Sequence, residues 1–133
     1  YVTEKDIKDV IDFISIDVSF ISLRLVLPVA KKLLSKEGRI VALIKPQFEA
    51  GREKVGKKGI VRDKNVHIEV LKSIVEFCNV EGLTIIDLDF SPVTGSTGNI
   101  EFLAHILKSN NSIGINNTKI EEIVNNAHSI LKD

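Results

Sequence analysis

The sequence predicts an α/β fold, with a mostly parallel sheet, a final antiparallel strand and helices packed on the sheet. Three observations carry this. Short apolar runs with strand character alternate with segments whose apolar residues recur at helical spacing, the pattern of parallel strands joined by right-handed crossovers. The last two runs are joined by a short loop, which makes them a hairpin or antiparallel near-neighbours. The length of 133 residues and a hydrophobic fraction of 44% fit one domain with a real core.

In chain order, residues 11–17 read as a short buried strand ending at Asp17. Leu23, Val26, Leu27, Ala30, Leu33 and Leu34 recur on one face of a helix. Gly38 is expected to cap its C-terminus, and Pro28 to disturb its first turn. Residues 39–44 form the second strand, which stops at Lys45-Pro46. The connection 46–62 is long for a strand-to-helix loop, and loops of that length are usually functional. Asp63 can cap a helix carrying Val66, Val70, Ile74 and Phe77 on one face. Residues 84–90 are the third strand, 91–98 a turn-rich loop and 100–107 the fourth strand. Thr118-Lys119-Ile120-Glu121 has the form of a capping box and opens a tail helix with Ile120, Val124, Ala127 and Leu131 inward. The expected layout is a main unit over residues 1–108 and a tail helix over 109–133, within one compact body.

Charge is neutral overall but uneven. Residues 45–64 hold a net +4, and the rest of the chain therefore −4. A local basic loop in a neutral chain points to a specific anionic ligand rather than general attraction to polyanions. A single cysteine, Cys78, rules out a disulfide within the chain and fits a reducing, cytoplasmic setting. Its position on a periodic helix face suits a core thiol. No stretch approaches the roughly 20 apolar residues of a membrane span, and no signal peptide is expected.

The strand pattern brings three charges to one edge. Asp17 ends the first strand, Lys45 ends the second, and Glu101 stands at the start of the fourth, which runs back toward the same edge. Neighbouring strands lie about 4.8 Å apart, so these side chains can meet. In open α/β sheets, ligands bind at the carboxyl ends of the strands.

Other signals are weaker. Residues 51–58 almost spell a phosphate-binding P-loop, but Lys58 stands where a magnesium-binding Ser or Thr belongs, and no helix follows directly. His67, His105 and His128 lack metal-ligand spacing, and no metal site is expected. His67 is expected on a helix surface.

Asp17-Val18-Ser19-Phe20-Ile21-Ser22-Leu23, Lys45-Pro46-Gln47-Phe48-Glu49, Gly51-Arg52-Glu53-Lys54-Val55-Gly56 and Gly98-Asn99-Ile100-Glu101-Phe102 resemble the hemolysin A (TlyA) family. Those proteins are S-adenosylmethionine-dependent ribosomal RNA 2′-O-methyltransferases with an FtsJ-like, Rossmann-like domain. The resemblance runs from the N-terminus to about Lys108. It implies a Lys-Asp-Lys-Glu tetrad, of which Asp17, Lys45 and Glu101 resemble the last three members. It implies that Asp17, Ser19 and Phe20 touch the cofactor. It also implies that Arg52, Lys54, Lys57, Lys58, Arg62 and Lys64 contact the phosphates of ribosomal RNA, within a ribosomal subunit. No position here represents the first lysine or the glycine-rich cofactor loop, so the chain is expected to be the C-terminal half of such a domain and inactive alone. The alternative is an RNA- or ribosome-binding module without catalysis. A half-domain would also leave the first strand with an open edge. That predicts self-association, or cover from the N-terminal segment or the tail helix.

Overall fold

The computed structural model describes residues 11–56, 59–94, 98–108 and 114–131. Four strands form one sheet: β1 (Ile11–Ile16), β2 (Leu34–Ile44), β3 (Thr84–Phe90) and β4 (Phe102–Leu107). Helices α1 (Leu23–Leu33), α2 (Pro46–Glu49), α3 (Lys64–Val80) and α4 (Asn117–Ile130) connect or cover them. The strand order is β1-β2-β4-β3. β1 and β2 pair in parallel, and β4 pairs antiparallel with both β2 and β3. Three strands therefore point one way and the last runs back between two of them. This is the expected mostly parallel sheet with a final antiparallel strand.

Alternation along the strands buries one face. Ile40, Ala42 and Ile44 of β2, Phe102, Ala104 and Ile106 of β4, and Ile85 and Leu88 of β3 are buried in a single core. Leu23, Leu27 and Ala30 of α1 join it, as do Val66, Val70, Leu71, Ile74 and Cys78 of α3. α4 contributes Ile120, Ile123, Val124 and Ala127, and packs on α3 and β3. The alternate sheet face is left more open, with Phe13 and Leu103 exposed. Burial pushes the Cys78 thiol up to about 12, with Glu81 adding to the shift, so it is an inert core thiol.

Three local expectations are corrected. α1 ends at Leu33 rather than at Gly38, because Leu34 is already extended and starts β2. Residues 35–38 of β2 stand opposite the single residue Asp12, three more than a regular ladder needs, since Ile11 pairs with Leu34 but Phe13 pairs with Arg39. Leu34 folds over this bulge, and a Cβ at Gly38 would lie 2.4 Å from its Cγ. Gly38 thus serves close packing, not a helix cap. α4 is capped by Asn116, whose Oδ1 accepts from Lys119 N at 2.9 Å, rather than by a box starting at Thr118. Asn116 lies one residue before the helix, where its side chain reaches the free N–H groups, whereas Thr118 is already helical. His67 is fully buried instead of lying on a surface. The Asp63 cap of α3 is as expected, accepting from Asn65 N at 2.8 Å, and α1 continues through Pro28.

Among the described residues β1 is an edge of the sheet. α4 packs against α3 and β3, toward the other edge, so the tail helix is not the cover of β1. The N-terminal segment lies outside the described residues. Among the described residues no helix is long and apolar enough to cross a membrane.

Candidate active site

β1 and β2 run side by side and end together. Asp17 follows the last residue of β1, and Lys45 the last residue of β2. Pro46 starts α2 directly after Lys45, which holds the lysine backbone extended and turns the chain away from the sheet. Lys45 Nζ donates to Asp17 Oδ1 and, at 3.3 Å, to Ser19 Oγ. The lysine side chain is only 11% exposed, whereas that of Asp17 is 65% exposed. The amine is therefore sheltered by the fold and meets a carboxylate that opens to solvent.

Glu101 stands opposite Lys45 in the sheet. The last β2–β4 pair is Ile44 with Phe102, so one further step places residue 45 across from residue 101. The Glu101 carbonyl accepts from Ser91 N at 2.8 Å, which ties the end of β3 to the same edge. Among the described residues, however, Glu101 forms no ion pair with Lys45. The structure thus joins Asp17, Ser19 and Lys45 directly and leaves Glu101 as an adjacent, half-buried carboxylate.

Two phenylalanines flank the pair. Phe20 has φ of 65° and is 89% exposed. The left-handed region costs a bulky residue on the order of 1–3 kcal/mol, and such strain clusters at functional sites. Its ring lies 4.9 Å from that of Phe48, tilted by 48°.

Of the basic residues, Arg52 and Lys54 lie in a short 3-10 turn, Arg62 precedes α3 and Lys64 opens it, all four exposed. Lys54 is engaged: its Nζ donates to both Glu69 oxygens at 2.8 and 2.9 Å, and that partner holds its ammonium above the usual value. Lys57 and Lys58 lie outside the described residues. The near-P-loop segment leads into the turn Arg52–Lys54, and the following long helix starts only at Lys64.

Two further polar residues build the surroundings of the site, and neither was marked by sequence reasoning. Asn99 is 1% exposed; it accepts from Val61 N at 2.9 Å and donates to the Gly59 carbonyl at 3.0 Å. It fastens the exit of the basic loop to the loop that precedes Glu101. Gly98 beside it has φ of 91°, a conformation that suits only glycine. Glu49 has a side chain only 2% exposed and binds the start of α1. Both residues sit inside the motifs that stood out in the sequence. Their partners lie 25 to 40 positions away, and no local pattern names them.

A parallel strand pair whose ends join a lysine to an aspartate, beside glycine-bearing loops, is a Rossmann-like arrangement with its polar groups at the carboxyl edge of the sheet. The model of the family described as FtsJ-like methyltransferase matches residues 2–108. The chain belongs to the FtsJ-like methyltransferase family. It is 49% identical to the Bacillus subtilis protein described as "Putative rRNA methyltransferase YqxC", over 100% of this chain and 49% of that protein. It is 35% identical to the "16S/23S rRNA (cytidine-2'-O)-methyltransferase TlyA" of Mycobacterium tuberculosis, over 69% of this chain and 34% of the relative. The solved "Putative hemolysin from Streptococcus thermophilus" superposes with a TM-score of 0.92 at 47% identity, over 99% of this chain and 48% of that one. The chain thus spans about half the length, or less, of these relatives. These findings agree with the resemblance drawn from the motifs.

Proposed function

We propose that this chain is the catalytic-side half of a ribosomal RNA ribose 2′-O-methyltransferase, working with the remainder of a full-length domain and inactive without it. The observation that carries the reading is the sheltered Lys45 amine held by Asp17 and Ser19 at the carboxyl edge of the sheet. The free-amine form of Lys45 Nζ accepts the proton of a ribose 2′-hydroxyl, as a general base. Asp17 and Ser19 fix the direction of Nζ, and Glu101 supplies further negative charge across the edge. Alignment of the hydroxyl accounts for much of the rate, and alignment alone can contribute roughly 7–11 kcal/mol.

The residues present fit one side of S-adenosylmethionine. An exposed carboxylate (Asp17), a hydroxyl (Ser19) and an exposed aromatic ring (Phe20) attract a sulfonium cation. The cofactor, when bound, supplies an electrophilic methyl group. Arg52, Arg62 and Lys64, with Lys57 and Lys58, contact RNA phosphates and set its register without reading its sequence, while Lys54 is held by Glu69. The reading places the protein in the cytoplasm with a ribosomal subunit as its partner. The edge of β1, open among the described residues, is a surface for pairing, either with the remainder of the domain or with a second copy.

The test is Lys45→Ala in the intact protein. Methylation of ribosomal RNA is expected to fall by about 10³-fold, within the range of general-base removal. RNA affinity should stay within a few-fold. A large affinity loss with methylation retained would show instead that this edge only docks RNA.

A further inference from the structure

Asp17 and Lys45 leave the sheet in two short connections, the loop 17–22 and the segment 45–49, which is Lys45 and the one-turn helix α2. The two connections stay together after the strands end, held at three points. The first is the contact of Lys45 with Asp17 and Ser19. The second is the Phe20–Phe48 ring pair. The third is Glu49, and it is the most heavily bonded of the three. Glu49 Oε1 accepts from Ser22 Oγ at 2.6 Å and from Arg24 Nη1 at 2.9 Å, and Oε2 accepts from the backbone N of Leu23 at 2.7 Å. Arg24 also donates to Ser73 of α3 through Nη2.

The carboxylate is almost fully buried, and burial of a charge is costly unless it is paired and hydrogen-bonded. Here every bond goes to the start of α1, where free N–H groups and the helix dipole favour a negative group. Ser22 already caps α1 locally, accepting from Arg24 N at 3.0 Å. A second, distant acid is therefore not required to start the helix. What it adds is a fixed distance between residue 22 and residue 49, and hence between the two connections. With both ends of loop 17–22 held, Phe20 takes up the slack in its left-handed conformation.

We propose that Glu49 is a positioning residue of the Lys45 site: it clamps the two strand-end connections together so that Asp17 and Ser19 meet the lysine amine. This rests on the reading of Lys45 as the catalytic base, but the clamp has a consequence that can be read without catalysis. The Lys45 side chain should sense the loss of Glu49 even though no hydrogen bond or ion pair joins the two.

The experiment uses the intact protein with lysine labelled at Cε with carbon-13, the Lys45 signal being assigned through Lys45→Arg. In Glu49→Gln, the Lys45 signal is expected to move in the direction seen in Asp17→Asn, while the Lys54 signal stays in place. Exchange of the Leu23 amide should quicken. Methylation should fall by about 100-fold, the scale of a 1 Å misplacement, with KM for RNA changed less than 3-fold. Ser22→Ala, which removes one bond to the same carboxylate, should show the same shifts at smaller amplitude if Glu49→Gln fails to fold. Faster Leu23 exchange with an unmoved Lys45 signal and unchanged kcat would overturn the proposal, leaving Glu49 as a helix cap only. Unchanged methylation in Lys45→Ala would overturn the catalytic reading itself, and a moved Lys45 signal in Glu49→Gln would still stand as evidence for the clamp.

Discussion

A polar cluster at the strand ends and another joining α3, α4 and the loop before α3 are built on opposite terms. At the β1–β2 edge, Lys45, Asp17 and Ser19 meet in a mixed-charge group with one exposed carboxylate and a strained, bare phenylalanine beside it. Behind the basic loop, His67, His128 and the Val61 carbonyl form a hydrogen-bonded chain around the buried His67 ring. The Val61 oxygen can only accept, so His67 Nε2 carries the proton in their 3.0 Å contact. His67 Nδ1 then accepts from His128 Nε2–H at 2.7 Å. Burial, and next the neighbouring His128, lower the His67 pKa to about 4, against smaller opposite effects of the Val61 carbonyl and Asp63. One cluster leaves charge and strain open to a ligand; the other ties α3 and α4 to the end of the loop. Chemistry is expected from the first and stability from the second. Substitutions should separate them.

Lys45→Ala has the largest expected effect, on rate, and should cost the fold little because the amine sits at a loop edge. The His67 cluster should respond in the opposite sense. His67 is neutral in the folded chain and would take a proton near its ordinary value of about 6.5 when unfolded. Its contribution is therefore complete above pH 6.5, declines as pH falls, and is gone below about 4. The span corresponds to about 3 kcal/mol. Acid unfolding of carboxylates adds to the observed slope, so the measurement is the difference between the native chain and His67→Leu. Melting temperatures should converge between pH 6.5 and 4. Parallel curves would mean that His67 is not held neutral, and the contrast between the clusters would collapse.

Asn99 lies between the two clusters and ranks next. Asn99→Ala removes the acceptor of the Val61 N–H, in the same residue whose carbonyl holds His67. An unsatisfied buried donor costs about 1–3 kcal/mol. Thermal unfolding should shift down by roughly 4 °C for each kcal/mol lost. The basic loop should loosen at its exit, read as faster exchange of the Val61 amide. Faster Val61 exchange with a changed Lys45 environment would show that the two clusters are coupled through β4, not independent.

The contrast also explains what the sequence could reveal. Strand and helix placement followed from apolar periodicity, and the shared edge of Asp17 and Lys45 followed from where two strands had to stop. The motif residues Ser19 and Phe20 came with the resemblance. What stayed hidden depends on distant partners. His67 reads as a surface residue on a helix because its buried acceptor and donor come from Val61 and from α4, 61 positions away. Gly38 reads as a helix cap because nothing local shows that Leu34 folds back onto it. Glu49 and Asn99 read as loop residues, since a carboxylate or an amide announces its type but not its partner. Whether the Glu101 carboxylate turns toward Lys45 is a matter of side-chain direction, which register alone does not fix.

The smallest effect concerns the basic loop, where the same comparison can be made between residues of equal charge. Arg52 and Lys54 stand in one turn, yet Lys54 is held by Glu69 at two short contacts. An exposed pair of this kind is worth little to stability, but it cancels the field that an RNA phosphate would feel. Each phosphate contact to a single strand contributes roughly 0.7 to the slope of log affinity against log salt. Arg52→Ala should lower that slope by about this amount if the loop binds RNA as proposed. Lys54→Ala alone would leave Glu69 unpaired and repel the phosphates, so the informative variant replaces Lys54 and Glu69 together. That double variant should leave the slope unchanged. A loss equal to that of Arg52→Ala would show that Lys54 abandons Glu69 for the RNA, and would make the ion pair a resting state of the loop rather than part of its frame.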